Sequence, residues 1–219
     1  MNVFDVLGPI MIGPSSSHTA GAVRIGRIVK ILIGENIKEA NIIFYGSFAA
    51  AYKGHGTDKG IIAGLLGYDV ADAEIRDSIN IARKRGLSFS FGKSFDDSTH
   101  PNMASISAVG KSGKKISITA ASTGGGNILV SNINGIEVEF SCQYHTLIVP
   151  HRDQPGAISL VTHILAAHNI NIASMKVFRK EKKGNAIMVI ETDQELDNEI
   201  SREVRKLPGI IDCIIVYAF

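Results

Sequence analysis

From Tyr144 onward, six stretches of regular pattern succeed one another with only short connections, and their order limits the folds open to this part of the chain. The stretch "HTLIVPH" reads as a strand, "GAISLVTHILAAHN" as an amphipathic helix and "NIASMKVFR" as a second strand. "NAIMVIET" is a third strand, "QELDNEISREVRKL" a second helix and "IDCIIVYA" a closing strand. The resulting βαββαβ order is the split βαβ arrangement, in which two helices cover one face of a four-stranded antiparallel sheet.

The preceding portion has a different grammar. Residues 20–33, "AGAVRIGRIVKILI", space Arg24, Arg27 and Lys30 three apart, while Val23, Ile25, Ile28, Val29 and Leu32 fill the rest of the arc, so a helix with a narrow basic stripe is expected. Strand-like runs follow at 41–46, 87–91, 103–109, 114–120, 127–131 and 136–140, with helical pattern around 58–66 and 74–84. Strands and helices mix without strict βαβ alternation, which places this portion in the α+β class. The change of pattern sets two domains, 1–142 and 143–219.

Charge and composition exclude several function classes. The 23 basic and 21 acidic residues are interspersed and leave a formal charge of +2, which gives no field to steer the chain to nucleic acid. No window approaches the roughly 18 to 20 apolar residues of a membrane span, and the first residues carry neither a basic leader nor a small-residue cleavage site, so no membrane association and a cytoplasmic location are expected. Cys142 and Cys213 are the two cysteines, too few for a disulfide scaffold, and buried free thiols are expected.

The densest chemistry lies in "GPSSSHTAG", residues 13–21, immediately before the first helix. One hydroxyl suffices to cap a helix. Ser15, Ser16, Ser17 and Thr19 exceed that need, and with the free amides and positive end of the helix they would form a cup for an anion such as a carboxylate. His18 within it would donate a hydrogen bond or move a proton near neutral pH. A hydroxyl-rich loop with an exposed histidine is the alternative. "YKGHGTDKG" sets His55 between two glycines, suited to close approach of a ligand or simply to a tight turn. "DDSTHPN" offers His100 before Pro101, in what is equally well a polar loop. "STGGGN" lies between two strands, so Gly124, Gly125 and Gly126 make either a hairpin turn or an anion-binding nest. In "HRDQPGAI", Asp153, Pro155 and Gly156 join a strand to a helix whose first amides could meet an amino acid. Neither HExxH spacing nor a four-thiolate set is present, so no metal is expected on this chain.

Taken together, "GPIMIGPSSSHTAG", "YGSFAAAYKGHGTDKG", "HPN" and "STGGGN" resemble the β subunit of the two-subunit, iron–sulfur-dependent bacterial L-serine dehydratases (L-serine deaminases), over essentially the whole chain. The C-terminal unit with "DQPGAI" resembles an ACT domain, a ferredoxin-like regulatory module, and the N-terminal portion resembles the allosteric substrate-binding domain of some phosphoglycerate dehydrogenases. The resemblance implies a lyase that converts L-serine to pyruvate and ammonia without pyridoxal phosphate. It implies a [4Fe-4S] cluster held by cysteines of an α subunit, and hence a chain inactive alone. By the same resemblance His18 is catalytic, and Ser15, Ser16, Ser17, Thr19, His55 and His100 bind substrate; the sequence leaves open whether the cup serves the catalytic site or an effector site. Asp153, Pro155, Gly156 and Gly124 to Gly126 would bind an effector, and the ACT domain would join two β chains. The competing expectation is a stand-alone amino-acid sensor that regulates another enzyme.

Overall fold

A computed structural model describes residues 9–94 and 100–219. The chain divides into two compact units, Met1–Asn134 and Gly135–Phe219. The change of sequence pattern pointed to Cys142; the division falls earlier because the short strand 136–140 goes with the second unit.

In the first unit, Ser16–Ala20 forms a single π-helical turn that runs directly into α1 (Gly21–Ile33). The apolar arc of α1 is fully buried, with Val23, Ile25, Ile28 and Val29 at 0% exposure. Its basic stripe is tethered rather than solvated. Arg24 donates to the Gly126 carbonyl at 2.8 Å, Arg27 pairs with Asp69 at 2.6 Å, and Lys30 donates to the Glu35 carbonyl at 2.8 Å. Gly34, with φ of +75°, ends the helix in the left-handed conformation that favours glycine.

The helix pair that fixes this unit is α1 with α3 (Thr57–Leu66). Their contact runs over glycines. A Cβ on Gly60 would stand 2.8 Å from the Thr19 carbonyl oxygen, and one on Gly64 would stand 2.6 Å from the Arg27 nitrogen. Gly60 and Gly64 carry no side chain at the crossing, so the two backbones touch. Against α1 lies a sheet of β1 (Ile37–Tyr45), β2 (Ser88–Ser94), β3 (Met103–Gly110), β4 (Lys115–Gly124) and β5 (Asn127–Ile133), in the order β2-β1-β3-β4-β5; the next strand of the chain, β6 (Ile136–Phe140), belongs to the second unit. β2 is parallel to β1, and β1-β3, β3-β4 and β4-β5 are antiparallel. Register places Ile42 opposite Ile106 and Ile106 opposite Ile118, all fully buried. Two further short helices complete the unit, α2 (Gly46–Ala51) and, after a 3₁₀ turn at Ala73–Asp77, α4 (Ser78–Lys84). The local pattern of the sequence does not announce α2.

The second unit realises the expected order. β7 (His145–Arg152), α5 (Ala157–Ala167), β8 (Ile172–Arg179), β9 (Asn185–Thr192), α6 (Asn198–Arg205) and β10 (Ile214–Val216) build an antiparallel sheet in the order β10-β7-β9-β8. Leu147, Val149, Met188 and Ile190 of the sheet bury against Val161 and Leu165 of α5 and Ile200 and Val204 of α6. Full burial of each such side chain contributes about 1.5–3 kcal/mol. Asp197 caps α6 by accepting from the Glu199 and Ile200 amides at 2.7 and 3.0 Å. Both cysteines are free and buried, and burial pushes the Cys213 thiol up to about 12. No described helix is long and apolar enough to cross a membrane.

Candidate active site at the start of the first helix

The loop before α1 is held by two of its own hydroxyls. The Ser15 Oγ accepts from the His18 amide at 3.1 Å, and the Ser15 carbonyl accepts from the amides of Thr19 at 2.8 Å and Ala20 at 3.4 Å. This i to i+5 closure widens the turn, a feature often found at functional positions. The Thr19 hydroxyl donates to the His55 carbonyl at 2.9 Å, and Thr19 is 2% exposed. Gly13 must be glycine here: its φ is +129° and a Cβ would stand 2.5 Å from the Thr19 side chain. Among the described residues, the Ser16 and Ser17 hydroxyls have no hydrogen-bond partner and remain available to a ligand.

The widened turn delivers His18 onto α2. Its Nε2 lies 3.0 Å from the Ser47 Oγ, its ring centroid 5.3 Å from that of Phe48, and 4.8 Å from that of His55 in an edge-on arrangement. Burial lowers the His18 pKa first, and the neighbouring His55 lowers it further, against a smaller upward effect of Ser47. The imidazole is therefore neutral at physiological pH, with its ring oriented by a hydroxyl: an acceptor for a proton, not a fixed cation.

Two further stretches come to the same place. Gly46 has φ of +51°, and a Cβ there would stand 2.6 Å from the Pro101 carbonyl oxygen, which accepts from the Phe48 amide at 3.2 Å. The segment 100–102 is thereby docked on the helix that carries Ser47. His100 is exposed, its Nδ1 accepting from the Asn102 amide at 3.2 Å. The 96–99 part of that motif lies outside the described residues. The glycine turn joins from the other side: Gly126 receives Arg24 of α1, and a Cβ on it would stand 3.5 Å from that of Ala20. The structure thus sets Gly126 beside the loop that carries His18. Asp153, Pro155 and Gly156 lie in the second unit. There the Arg179 guanidinium, 2.7 Å from the Asp153 carboxylate, holds that carboxyl below the usual range, helped by the Lys183 amide at 3.1 Å.

Several participants escape the sequence reading. Ser47 carries no local signal beyond the glycine before it. Thr57, Asn102 and Ser122 each bury a side-chain oxygen with no partner, on Thr57 Oγ1, Asn102 Oδ1 and Ser122 Oγ. Ser122 packs against Gly21 at the start of α1, and its amide donates to the Asn102 carbonyl at 2.8 Å. Orphaned polar atoms are costly, at about 1–3 kcal/mol each, and the Asn102–Ser122 pair lies beside the start of α1, where a polar partner would satisfy it.

An iron–sulfur cluster does not fit this chain's own residues. Its thiols are the buried pair in the second unit, and among the described residues no three His, Cys, Asp or Glu side chains stand together as a metal group.

The chain is similar to known proteins over most of its length. The serine dehydratase beta chain model matches residues 2–85, and an AHAS small subunit-like ACT domain matches residues 147–212. The chain is 44% identical over 210 residues to the probable L-serine dehydratase, beta chain, of Bacillus subtilis (strain 168), covering 96% of this chain and 95% of that one. It is 34% identical to the L-serine dehydratase, beta chain, of Peptoniphilus asaccharolyticus over 204 residues, 93% of this chain and 92% of that one. Identity to the D-3-phosphoglycerate dehydrogenase of Bacillus subtilis (strain 168) is 30% over 195 residues, 88% of this chain but 37% of that one. With relatives matched end to end at this identity, the chain belongs to the serine dehydratase beta chain family.

Proposed function

We propose that this chain is the β subunit of a cytoplasmic L-serine ammonia-lyase, acting with a separate α subunit. The observation that carries the reading is the neutral, hydroxyl-oriented His18 beside His55, in a loop whose flanking sequence is similar to β chains over nearly their whole length. L-Serine loses its α-proton and its β-hydroxyl; the enamine left behind tautomerises and hydrolyses to pyruvate and ammonia. His18 is the group of this chain that moves a proton, held in place by Ser47. Ser16 and Ser17 supply free hydroxyls for the carboxylate and amino group of the substrate, while Ser15 and Thr19 hold the loop that presents them. His55 bounds the site, and His100 enters from the segment docked on α2. The iron–sulfur cluster that the resemblance implies belongs on this reading to the α subunit, which also closes the site. The stand-alone sensor is less favoured, because the end-to-end relatives are named as dehydratase chains.

A β–β contact through the second unit belongs to the same proposal. β8 is the outer strand of its sheet, and Val177 on it and Ile158 and Leu160 on α5 are 39%, 47% and 38% exposed. An outer strand and exposed apolar side chains in the same unit favour pairing with a second copy. Asp153, Pro155 and Gly156 would then border an effector site, with Arg179 giving way to the ligand's ammonium group.

The test is an anaerobic pull-down of the tagged chain from its native cytoplasm, assayed for iron and for pyruvate formed from added L-serine. A cysteine-rich partner with iron and serine-dependent pyruvate is expected. His18→Ala in the reconstituted pair abolishes turnover while assembly persists; a lone homodimer with neither iron nor pyruvate overturns the reading.

A further inference from the structure

Beside the His18 loop, a hollow of about 440 Å³ gathers Lys53, Lys59 and Arg76 around Thr19, Gly54 and Gly56. None of the described residues lining it is acidic, and among the described residues none of the three cations forms an ion pair. The placement is electrostatically adverse. Lys59 sits in the first turn of α3, where the aligned peptide dipoles already present their positive end. The one acid of that turn, Asp58, is 8% exposed, accepts from the Lys59 amide at 2.8 Å and does not line the hollow; burial raises its pKa while the charges of Lys59 and Lys53 lower it, so it stands as a single counter-charge against three cations. Three cations held around one cavity repel one another in the empty protein.

The floor of the hollow favours close approach. A Cβ on Gly54 would meet only the Ala51 carbonyl oxygen, at 3.8 Å, and one on Gly56 only the Thr19 hydroxyl, at 3.8 Å, so the space above the turn is open. The volume suits a small metabolite. Charge decides which kind. L-Serine carries one carboxylate and one ammonium at neutral pH; it neutralises none of the net charge and sets an ammonium among cations. An ion with two or three negative charges balances the hollow.

We propose that this hollow binds a small organic anion bearing at least two negative charges, a phosphate ester or a polycarboxylate, gripped by Lys53, Lys59 and Arg76. Its ligand touches Thr19, the residue after His18, whose hydroxyl holds the His55 carbonyl. Occupancy therefore stiffens the loop that presents both histidines. The site does not depend on what His18 acts upon.

Isothermal titration of the full chain with inorganic phosphate, citrate and L-serine, at ionic strength held constant with sodium chloride, tests this. Phosphate, citrate or both bind saturably and raise the melting temperature, and L-serine does not displace them. Arg76→Gln weakens that binding about tenfold or more, as loss of a charge-assisted contact requires. Lys59→Gln weakens it likewise, yet melts higher than the parent in anion-free buffer, because it removes a cation from the helix start. The proposal is overturned if neither anion gives saturable heat, if L-serine displaces the bound anion, or if both variants bind as the parent does. All readouts are taken on the chain without turnover, so a failure here is separate from a failure of the serine lyase reading.

Discussion

Replacing Gly64 by alanine sets two physical effects against each other. In an exposed helix interior the change stabilises by about 1 kcal/mol, since alanine loses less backbone freedom on folding. In this structure the added methyl would overlap the Val23 carbonyl oxygen and stand 2.6 Å from the Arg27 nitrogen and 2.8 Å from the Gly26 carbonyl carbon. All three obstacles are backbone, so no rotamer change relieves them and α1 must move off α3. Overpacking of a tight interface costs about 1–3 kcal/mol and more where nothing yields. Helix displacement puts Gly64→Ala at or beyond the top of that range, for a net loss of about 2 kcal/mol. For a chain of this size the melting temperature falls by roughly 4–8 °C. Thermal unfolding followed by circular dichroism measures it, with Gly54→Ala as the control, since its Cβ would meet only the Ala51 carbonyl oxygen at 3.8 Å. A Gly64→Ala chain that melts at or above the parent would refute backbone contact as the basis of the α1–α3 pair.

Ser15→Ala removes the acceptor for the His18 amide and is expected to destabilise the first unit by about 1 kcal/mol, read from urea unfolding; no change would mean that water replaces the cap. The His18 pKa is lowered in the folded state, so its contribution to stability is present above the unfolded value of about 6.5 and is lost as pH falls through the folded value. Melting temperatures between about pH 5 and 8 should fall less steeply on acidification for His18→Gln than for the parent, and parallel curves would contradict the neutral assignment. Cys213, raised to about 12 and buried, and the buried Cys142 should resist a thiol reagent at mild alkaline pH until denaturant is added; rapid labelling of the folded chain would show that one of them is reachable.

The second unit was legible because each of its elements carries its own signal. α5 and α6 are long enough to show an amphipathic period and β7 and β9 are apolar runs, although the second helix begins only at Asn198, after the Asp197 cap, and not at Gln194 as its pattern suggests. The first unit was legible in its strands and in α1, but not in α2, whose six residues, "GSFAAA", are too few for any period to register. That helix exists because Gly46 takes a left-handed conformation against Pro101, a contact across more than fifty positions that no local window contains. Ser47 was missed for the same reason. The surplus of hydroxyls ahead of α1 was plain in the sequence; which of them serve the loop and which remain free was not, since that depends on where the His55 carbonyl lies.

The division of labour among those hydroxyls follows from what a neutral histidine needs. To lower its pKa, His18 must be drawn out of water and kept near another imidazole, and both conditions oppose a flexible loop. Ser15 closes the wide turn from within, and Thr19 ties it from outside to the turn that carries His55. The backbone crossing of α1 and α3 then fixes the distance between the two histidine-bearing segments, since Gly60 lies against the Thr19 carbonyl itself. Ser47 meets the one remaining demand, a partner for Nε2 that orients the ring without charging it. With Ser15 and Thr19 spent on position, Ser16 and Ser17 are left as the hydroxyls able to meet a ligand, and replacing that pair should weaken ligand binding while leaving the unit's stability nearly unchanged, the reverse of Ser15→Ala. Paired urea-unfolding and serine-binding measurements on Ser16→Ala/Ser17→Ala and on Ser15→Ala separate the two roles; equal losses of stability in both would sink the distinction.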